Sequence, residues 1–200
     1  MTNRLAIFDC DGTLVDSQHN IVAAMDGAFL AAGLPPPGRQ RTLSIVGLSL
    51  VPAVAALLPD EEEALHVAVA EGYKAHFQTL RRAPEPAEPL FEGIAEILDR
   101  LDAQGWLLGI ATGNSDRGLR HCLEAHGILH RFVTVQTADR HPSKPHPSMI
   151  ELAMAEAGAG VESTVMIGDT SFDMAMACAA GVRGLGVGWG YHPPATLFEA

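Results

Sequence analysis

Four short segments hold the residues with chemistry to offer: Asp9-Cys10-Asp11-Gly12-Thr13, Thr112-Gly113-Asn114-Ser115, Ser143-Lys144-Pro145 and Gly168-Asp169-Thr170-Ser171-Phe172-Asp173. Brought together, the carboxylates of Asp9, Asp11, Asp169 and Asp173 could not all stay ionised without a cation, because like charges in contact raise one another's pKa. Oxygen ligands with no thiolate and no paired histidine select Mg²⁺, which takes one or two carboxylates plus water and a substrate phosphate. Lys144 adds a compact positive charge suited to that phosphate. Thr112 and Asn114 add side-chain and backbone donors. The set makes an electrophilic cradle for a phosphoryl group. Asp9 can act on that group as a nucleophile. Asp11 lies two residues on, on the same side of an extended backbone, where it can give a proton to the leaving oxygen and later take one from water. Phosphoryl transfer has a loose, charge-dispersed transition state, so positioning and electrostatics carry most of its catalysis.

Such a cradle needs elements that deliver all four segments to one rim, and the patterning supplies them. Leu5 to Phe8 is a continuous apolar run, the mark of a doubly buried strand, and the first acids follow it directly. Later units repeat strand and helix: a helix through Ile94, Ile97, Leu98 and Leu101, strand Trp106 to Ala111, a helix through Leu119, Cys122 and Leu123, and strand Phe132 to Val135. The loop His141 to Pro145 then opens a helix. Strand Thr164 to Ile167 runs into a helix through Ala180, and a last strand lies near Leu185 to Val187. This alternation predicts an α/β fold: a Rossmann-like parallel sheet with helices on both faces. Ligands of doubly wound sheets gather at the carboxyl ends of the strands, where the four segments fall.

The stretch after the first strand reads differently. A helix from Ser17 carries Ile21, Ala24, Met25, Ala28 and Phe29 at three- and four-residue spacing and stops at Gly33, ahead of three prolines. An apolar segment from Ile45 to Leu58 follows, then a helix opened by Asp60-Glu61-Glu62-Glu63, acids that suit a helix start. Three prolines within Ala83 to Pro89 form a stiff extended linker. The expected organisation is a catalytic core of residues 1–15 and 85–200, with a small α-helical cap domain of residues 16–84 inserted after the first strand.

Composition narrows the partners. Thirteen Lys and Arg against 24 Asp and Glu give a formal net charge of −11, which repels a nucleic-acid backbone or an anionic membrane surface. Hydrophobic residues at 48% with 18% charged mark a folding chain rather than a disordered one. No apolar run is long enough to span a bilayer and no secretory core precedes Asp9. The expectation is a soluble, cytoplasmic protein acting on a small phosphorylated metabolite. Substrate identity and oligomeric state are left open.

The four segments resemble, in order, the motifs of the haloacid dehalogenase-like hydrolase superfamily, over nearly the whole chain, in wording similar to its phosphoglycolate phosphatase branch. The resemblance implies roles residue by residue. Asp9 matches the nucleophile, and Asp11 the general acid/base whose main-chain carbonyl also binds Mg²⁺. Thr112 matches the phosphate-binding hydroxyl, Lys144 the charge-balancing cation and Asp169 a metal ligand. Asp173 matches a second acid that acts on the metal through water or holds Lys144. Gly12, Gly113 and Asn114 match further phosphate contacts. An acid at position 11 favours phosphate chemistry over carbon–halogen cleavage. The implied activity is Mg²⁺-dependent hydrolysis of a phosphomonoester, 2-phosphoglycolate among the candidates, through an aspartyl-phosphate. Alternatives are a phosphosugar mutase of β-phosphoglucomutase type, a non-catalytic phosphate-binding module and a dehalogenase. Family members usually add a helix and a strand after the position of Leu185 to Val187, so the resemblance implies a shortened edge here.

Other tempting residues have plainer readings. Cys10, Cys122 and Cys178 form no CxxC pair and read as reduced core thiols, Cys10 being turned into the core by strand alternation. His126 and His130 have i, i+4 spacing, yet Gly127 interrupts the helix a zinc pair would need. His146 reads as a solvated loop residue. Arg39 and Arg41 are candidates for a substrate carboxylate, and Gly47 would permit close backbone approach to a ligand.

Overall fold

The computed structural model describes residues 3–82 and 88–199. Five strands form one all-parallel sheet in the order β3-β2-β1-β4-β5: β1 Asn3–Phe8, β2 Trp106–Thr112, β3 Phe132–Thr137, β4 Ala159–Gly168 and β5 Arg183–Gly186. β1 is central because its side chains are apolar on both faces. Leu5 and Ile7 pack with Met149, Ile150 and Ala153 of α7 (Ser148–Ala157) and Met176 of α8 (Ser171–Ala179). Ala6 and Phe8 point the other way, against Leu98 of α5 (Ile94–Ala103) and Leu119 and Leu123 of α6 (Asp116–Ala125). The period of two thus buries one strand in both cores.

Between β1 and α5 four helices lie among the described residues: α1 Gln18–Ala31, α2 Arg39–Leu43, α3 Leu50–Leu57 and α4 Glu63–Leu80. They bury a cluster of their own, including Met25, Phe29, Val54, Leu57 and Val69. α1 and α4 run side by side, and Gly72 sets its backbone against Ala28, where an added Cβ would already touch. The acidic run opens α4 with Glu62 as its N-cap and all three glutamates exposed, the solvated start expected of them. The linker at Ala83 to Pro89 falls largely on residues 83–87, outside the described residues.

Three boundaries depart from the sequence expectation. β3 extends past Val135 to Thr137, adding the buried polar residues Gln136 and Thr137. Apolar patterning missed them because their side chains are satisfied by polar partners: Gln136 Nε2 donates to Glu156 at 2.8 Å and Thr137 Oγ1 to Asp116 at 2.8 Å. β4 starts five residues early, across a register shift against β1. β5 is an exposed edge strand centred on Arg183–Gly186, so no buried run announces it. One thiol is also corrected: Cys10 and Cys122 are buried as expected, but Cys178 is exposed at the outer end of α8. No helix among the described residues is long and apolar enough to cross a membrane.

Candidate active site

The chain leaves β1 in a tight loop rather than an extended one. Asp9 N continues the ladder to the Ile167 carbonyl at 2.9 Å, and Leu14 N and Val15 N both fold back onto the Cys10 carbonyl. Gly12 sits at φ +88°, and a Cβ there would overlap the Asp169 carboxylate, so only glycine admits this approach. The loop therefore carries Asp9 down onto the sheet rim and swings Asp11 outward.

Asp169 at the end of β4 and Asp173 in the first turn of α8 meet Asp9 there. The three carboxylates each offer an oxygen within 4.8 Å of the others and are buried. Lys144 arrives from the loop after β3, its side chain fully buried, with Nζ 2.9 Å from Asp9 Oδ1 and 2.6 Å from Asp173 Oδ1. Asp173 closes a capping box: its Oδ2 accepts from Thr170 N at 3.0 Å and Thr170 Oγ1 at 2.7 Å, while Thr170 Oγ1 accepts from Asp173 N. Asp169 accepts from Thr13 Oγ1 at 2.9 Å and Tyr191 N at 2.8 Å. Asp9 alone is left short. Apart from its ion pair with Lys144, its carboxylate has no hydrogen-bond partner among the described residues.

These neighbours set the protonation of the cluster. Burial, joined by Asp173 and Asp169, outweighs Lys144 and pushes the Asp9 carboxyl well above the usual carboxylate range. Burial and then Asp173 raise Asp169 to about 7. Burial alone would push Lys144 down, yet Asp173 and Asp9 together carry it above its ordinary value, so it stays an ammonium. With all three carboxylates ionised, one ammonium would leave two negative charges unmatched. An oxygen-only cluster with an orphaned, buried carboxylate and a charge deficit of that sign and size fits a hard divalent cation such as Mg²⁺.

Asp11 stands apart from this cluster. Of the four acids three converge; the side chain of Asp11 turns instead to Ser17 Oγ at 2.5 Å and Asn114 Nδ2 at 3.1 Å. The cause is the loop after Cys10, which breaks the extended geometry assumed for it. Burial raises the Asp11 carboxyl, with the Ser17 hydrogen bond opposing. Asp9 and Asp11 still line one cavity of about 340 Å³, together with Thr112, Gly113 and Asn114. Thr112 Oγ1 accepts from Asn114 N at 3.2 Å, which fixes that loop. Gly113 is required: a Cβ there would meet the Gly47 and Leu48 carbonyl oxygens at 2.6 Å. The helical segment thus sets its Gly47 backbone directly on the loop after β2, and Ser49 N donates to Ser143 Oγ at 2.9 Å beside it.

Residues outside the four segments complete the setting. Tyr191 touches both halves of the site, its N–H on Asp169 and its hydroxyl accepting from Ser17 N at 2.9 Å and lying 3.2 Å from Ser17 Oγ. Trp189 Nε1 donates to the Thr13 carbonyl at 3.2 Å. Both follow β5, so the strand-end rule reaches them once that strand is placed. Arg39 and Arg41 are not in the cavity lining: Arg39 bonds Gln18 Oε1, and Arg41 bonds the Leu57 carbonyl at 2.7 Å. Arg81 lines it instead. His126 Nε2 pairs with the Glu88 carbonyl at 2.8 Å, away from His130, and His146 is exposed.

Comparison with known proteins agrees with this geometry. Residues 6–187 match the haloacid dehalogenase-like hydrolase family. A Dickeya dadantii protein named "Probable phosphatase IndB" is 40% identical, over 98% of this chain and 86% of its own. A phosphoglycolate phosphatase of Agrobacterium fabrum is 32% identical, over 96% and 84%. The solved structure of a haloacid dehalogenase-like family hydrolase from Streptococcus pneumoniae superposes with a TM-score of 0.84 at 24% identity, over 98% of this chain and 90% of its own. The chain belongs to the haloacid dehalogenase-like hydrolase family, on its phosphoglycolate phosphatase-like branch, and is an enzyme of the phosphatase kind.

Proposed function

We propose that this phosphatase hydrolyses a small phosphomonoester with Mg²⁺, through a phosphoryl group carried on Asp9. The observation that supports this most is Asp9 itself: buried, with Lys144 as the sole polar partner of its carboxylate among the described residues, and opening into the 340 Å³ cavity. An unsatisfied buried carboxylate is costly to keep, which makes sense at a reacting centre. Asp9 and Asp169, with Asp173 behind them, would hold Mg²⁺, which supplies positive charge where the phosphoryl oxygens gather it.

The chain's own residues then divide the work. An Asp9 carboxylate oxygen attacks phosphorus, forming the O–P bond as the ester O–P bond breaks. Asp11, oriented by Ser17 and Asn114, gives its proton to the departing alkoxide and later takes one from the water that attacks phosphorus and frees Asp9. Thr112, with the amides of Gly113 and Asn114, binds the phosphoryl oxygens, and Lys144, together with the charge of the metal, favours the ionised form of Asp9 against its burial. Gly12 contributes the close turn that lets Asp9 and Asp169 share one site. Residues 16–84 act as a cap on a core of residues 1–15 and 85–200, excluding bulk water from the cavity.

The test is phosphate release from a panel of phosphomonoesters with and without Mg²⁺, with trapping of labelled enzyme. Wild-type chain should turn over only with the metal and carry label, whereas Asp9→Asn should lose about 10⁴-fold or more in turnover, the scale of a missing nucleophile, and take no label. Isomerised ester in place of free phosphate would make the chain a mutase, and halide released from a 2-haloacid without Mg²⁺ would make it a dehalogenase.

A further inference from the structure

We propose, resting on the phosphomonoester reading of Asp9, that the alcohol portion of the substrate carries an apolar ring rather than a carboxylate. The cavity above Asp9 is walled by Ile21 and Met25 of α1, Val46, Leu50 at the start of α3, and Tyr73 and Phe77 of α4. Tyr73 and Phe77 lie with ring centroids 5.4 Å apart, tilted by 41°, an arrangement that offers an aromatic wall. At about 340 Å³ the space is at the lower end of the ~300–1,000 Å³ typical of ligand pockets. A phosphate with a two-carbon acid would leave much of it unfilled.

Two of the three cations of the lining are paired with other groups, and the third stands at the mouth rather than on that wall. Arg81 spends its guanidinium on Glu88, with Nη2 2.9 Å from Oε2 and Nε 3.0 Å from Oε1, and on the Gly118 carbonyl at 3.1 Å. It also lies 4.5 Å over the Phe77 ring. Lys74 is exposed and 2.7 Å from Glu71 Oε1. Arg117 is exposed in the first turn of α6, at the mouth of the cavity. A carboxylate held against the wall would shed its water with no cation beside it in return, whereas a ring there removes apolar surface from water on both sides. Exposed Gln78 and Asp139 add polar groups at the mouth, suited to substituents on the far edge of such a ring.

The test compares kcat/KM of wild-type chain with Mg²⁺ for three esters whose leaving groups are all alkoxides: benzyl phosphate, ethyl phosphate and 2-phosphoglycolate. p-Nitrophenyl phosphate serves as reporter of hydrolysis itself. One methylene in an apolar pocket is worth about 10–200-fold, so benzyl phosphate should exceed both others by about tenfold or more. Leu50→Ala should narrow the benzyl-to-ethyl ratio. Equal or better use of 2-phosphoglycolate, or a benzyl-to-ethyl ratio near one, would overturn the apolar-ring assignment and leave the phosphatase reading standing. No phosphate release from any ester, the reporter included, would remove that reading and this one with it.

Discussion

The floor and the roof of the cavity are built on opposite principles. On the floor nearly every polar atom is committed: Asp173 to Lys144 and Thr170, Asp169 to Thr13 and Tyr191, with Asp9 as the orphan. The roof is the apolar side of α1, α3 and α4, lined by side chains such as Met25 and Phe77 that also belong to the helical clusters. A network of charges tolerates little change, because each group holds another's protonation and direction. An apolar wall tolerates substitution as long as volume is kept. Chemistry should therefore be brittle at the floor and selectivity adjustable at the roof.

The sharpest way to break that contrast is Lys144→Ala. It leaves Asp9 and Asp173 buried without their cation, and removing one partner of a buried pair costs about 3–5 kcal/mol. Thermal unfolding should register that loss, and turnover should fall about 10²–10³-fold, the scale of a lost electrostatic group. Mg²⁺ should restore part of the stability and little of the rate. A variant as stable and as fast as the parent would show that the floor is not the interlocked network its geometry describes.

Tyr191→Phe probes the same network at its edge. The hydroxyl holds Ser17, and Ser17 holds Asp11, so its loss should loosen Asp11, the proposed general acid, without touching Asp9. Turnover of alkyl phosphates should fall about tenfold, a fraction of the ~10²–10⁴ that general acid catalysis supplies. p-Nitrophenyl phosphate, whose leaving group departs without a proton, should be affected much less. An equal loss on both esters would make Tyr191 a mere packing residue.

The same division explains what the sequence could reveal. Each floor residue sits at the end of one strand, within a few residues of a recognisable turn or cap, so short spacings placed Asp9, Thr112, Lys144, Asp169 and Asp173 together. Where local geometry bent, spacing no longer told where a side chain goes: Asp11 turns from the acid cluster because the loop folds back onto Cys10. The roof depends on how α1, α3 and α4 pack, residues far apart along the chain, and no spacing rule reaches that. Edge strand β5, exposed along its length, hid the segment that delivers Trp189 and Tyr191.

Metal and proton compete for the floor, and the sign can be worked out. The folded chain holds the Asp169 proton up to about 7, whereas an unfolded carboxyl releases it near ~3.9. Between those values the folded state binds more protons, so metal-free stability falls as pH rises through the window. A divalent cation favours the ionised cluster. Mg²⁺ should thus raise Tm slightly at pH 5 and most at pH 8. A shift that is the same at both would take Asp169 out of the metal's ligand set.

The smallest effect sharpens the roof. Arg39 and Arg41 had the composition of a carboxylate clamp, but both point away from the cavity, Arg39 onto Gln18 and Arg41 onto the Leu57 carbonyl. Arg39→Ala removes an exposed side chain with one side-chain partner, so KM and stability should stay within about twofold and half a kcal/mol, as for surface changes generally. Comparison of KM for an anionic and a neutral-tailed ester checks it. A rise in KM confined to the anionic ester would mean that α2 swings its arginines over the bound substrate, giving the roof a charged arm that the apolar wall does not account for.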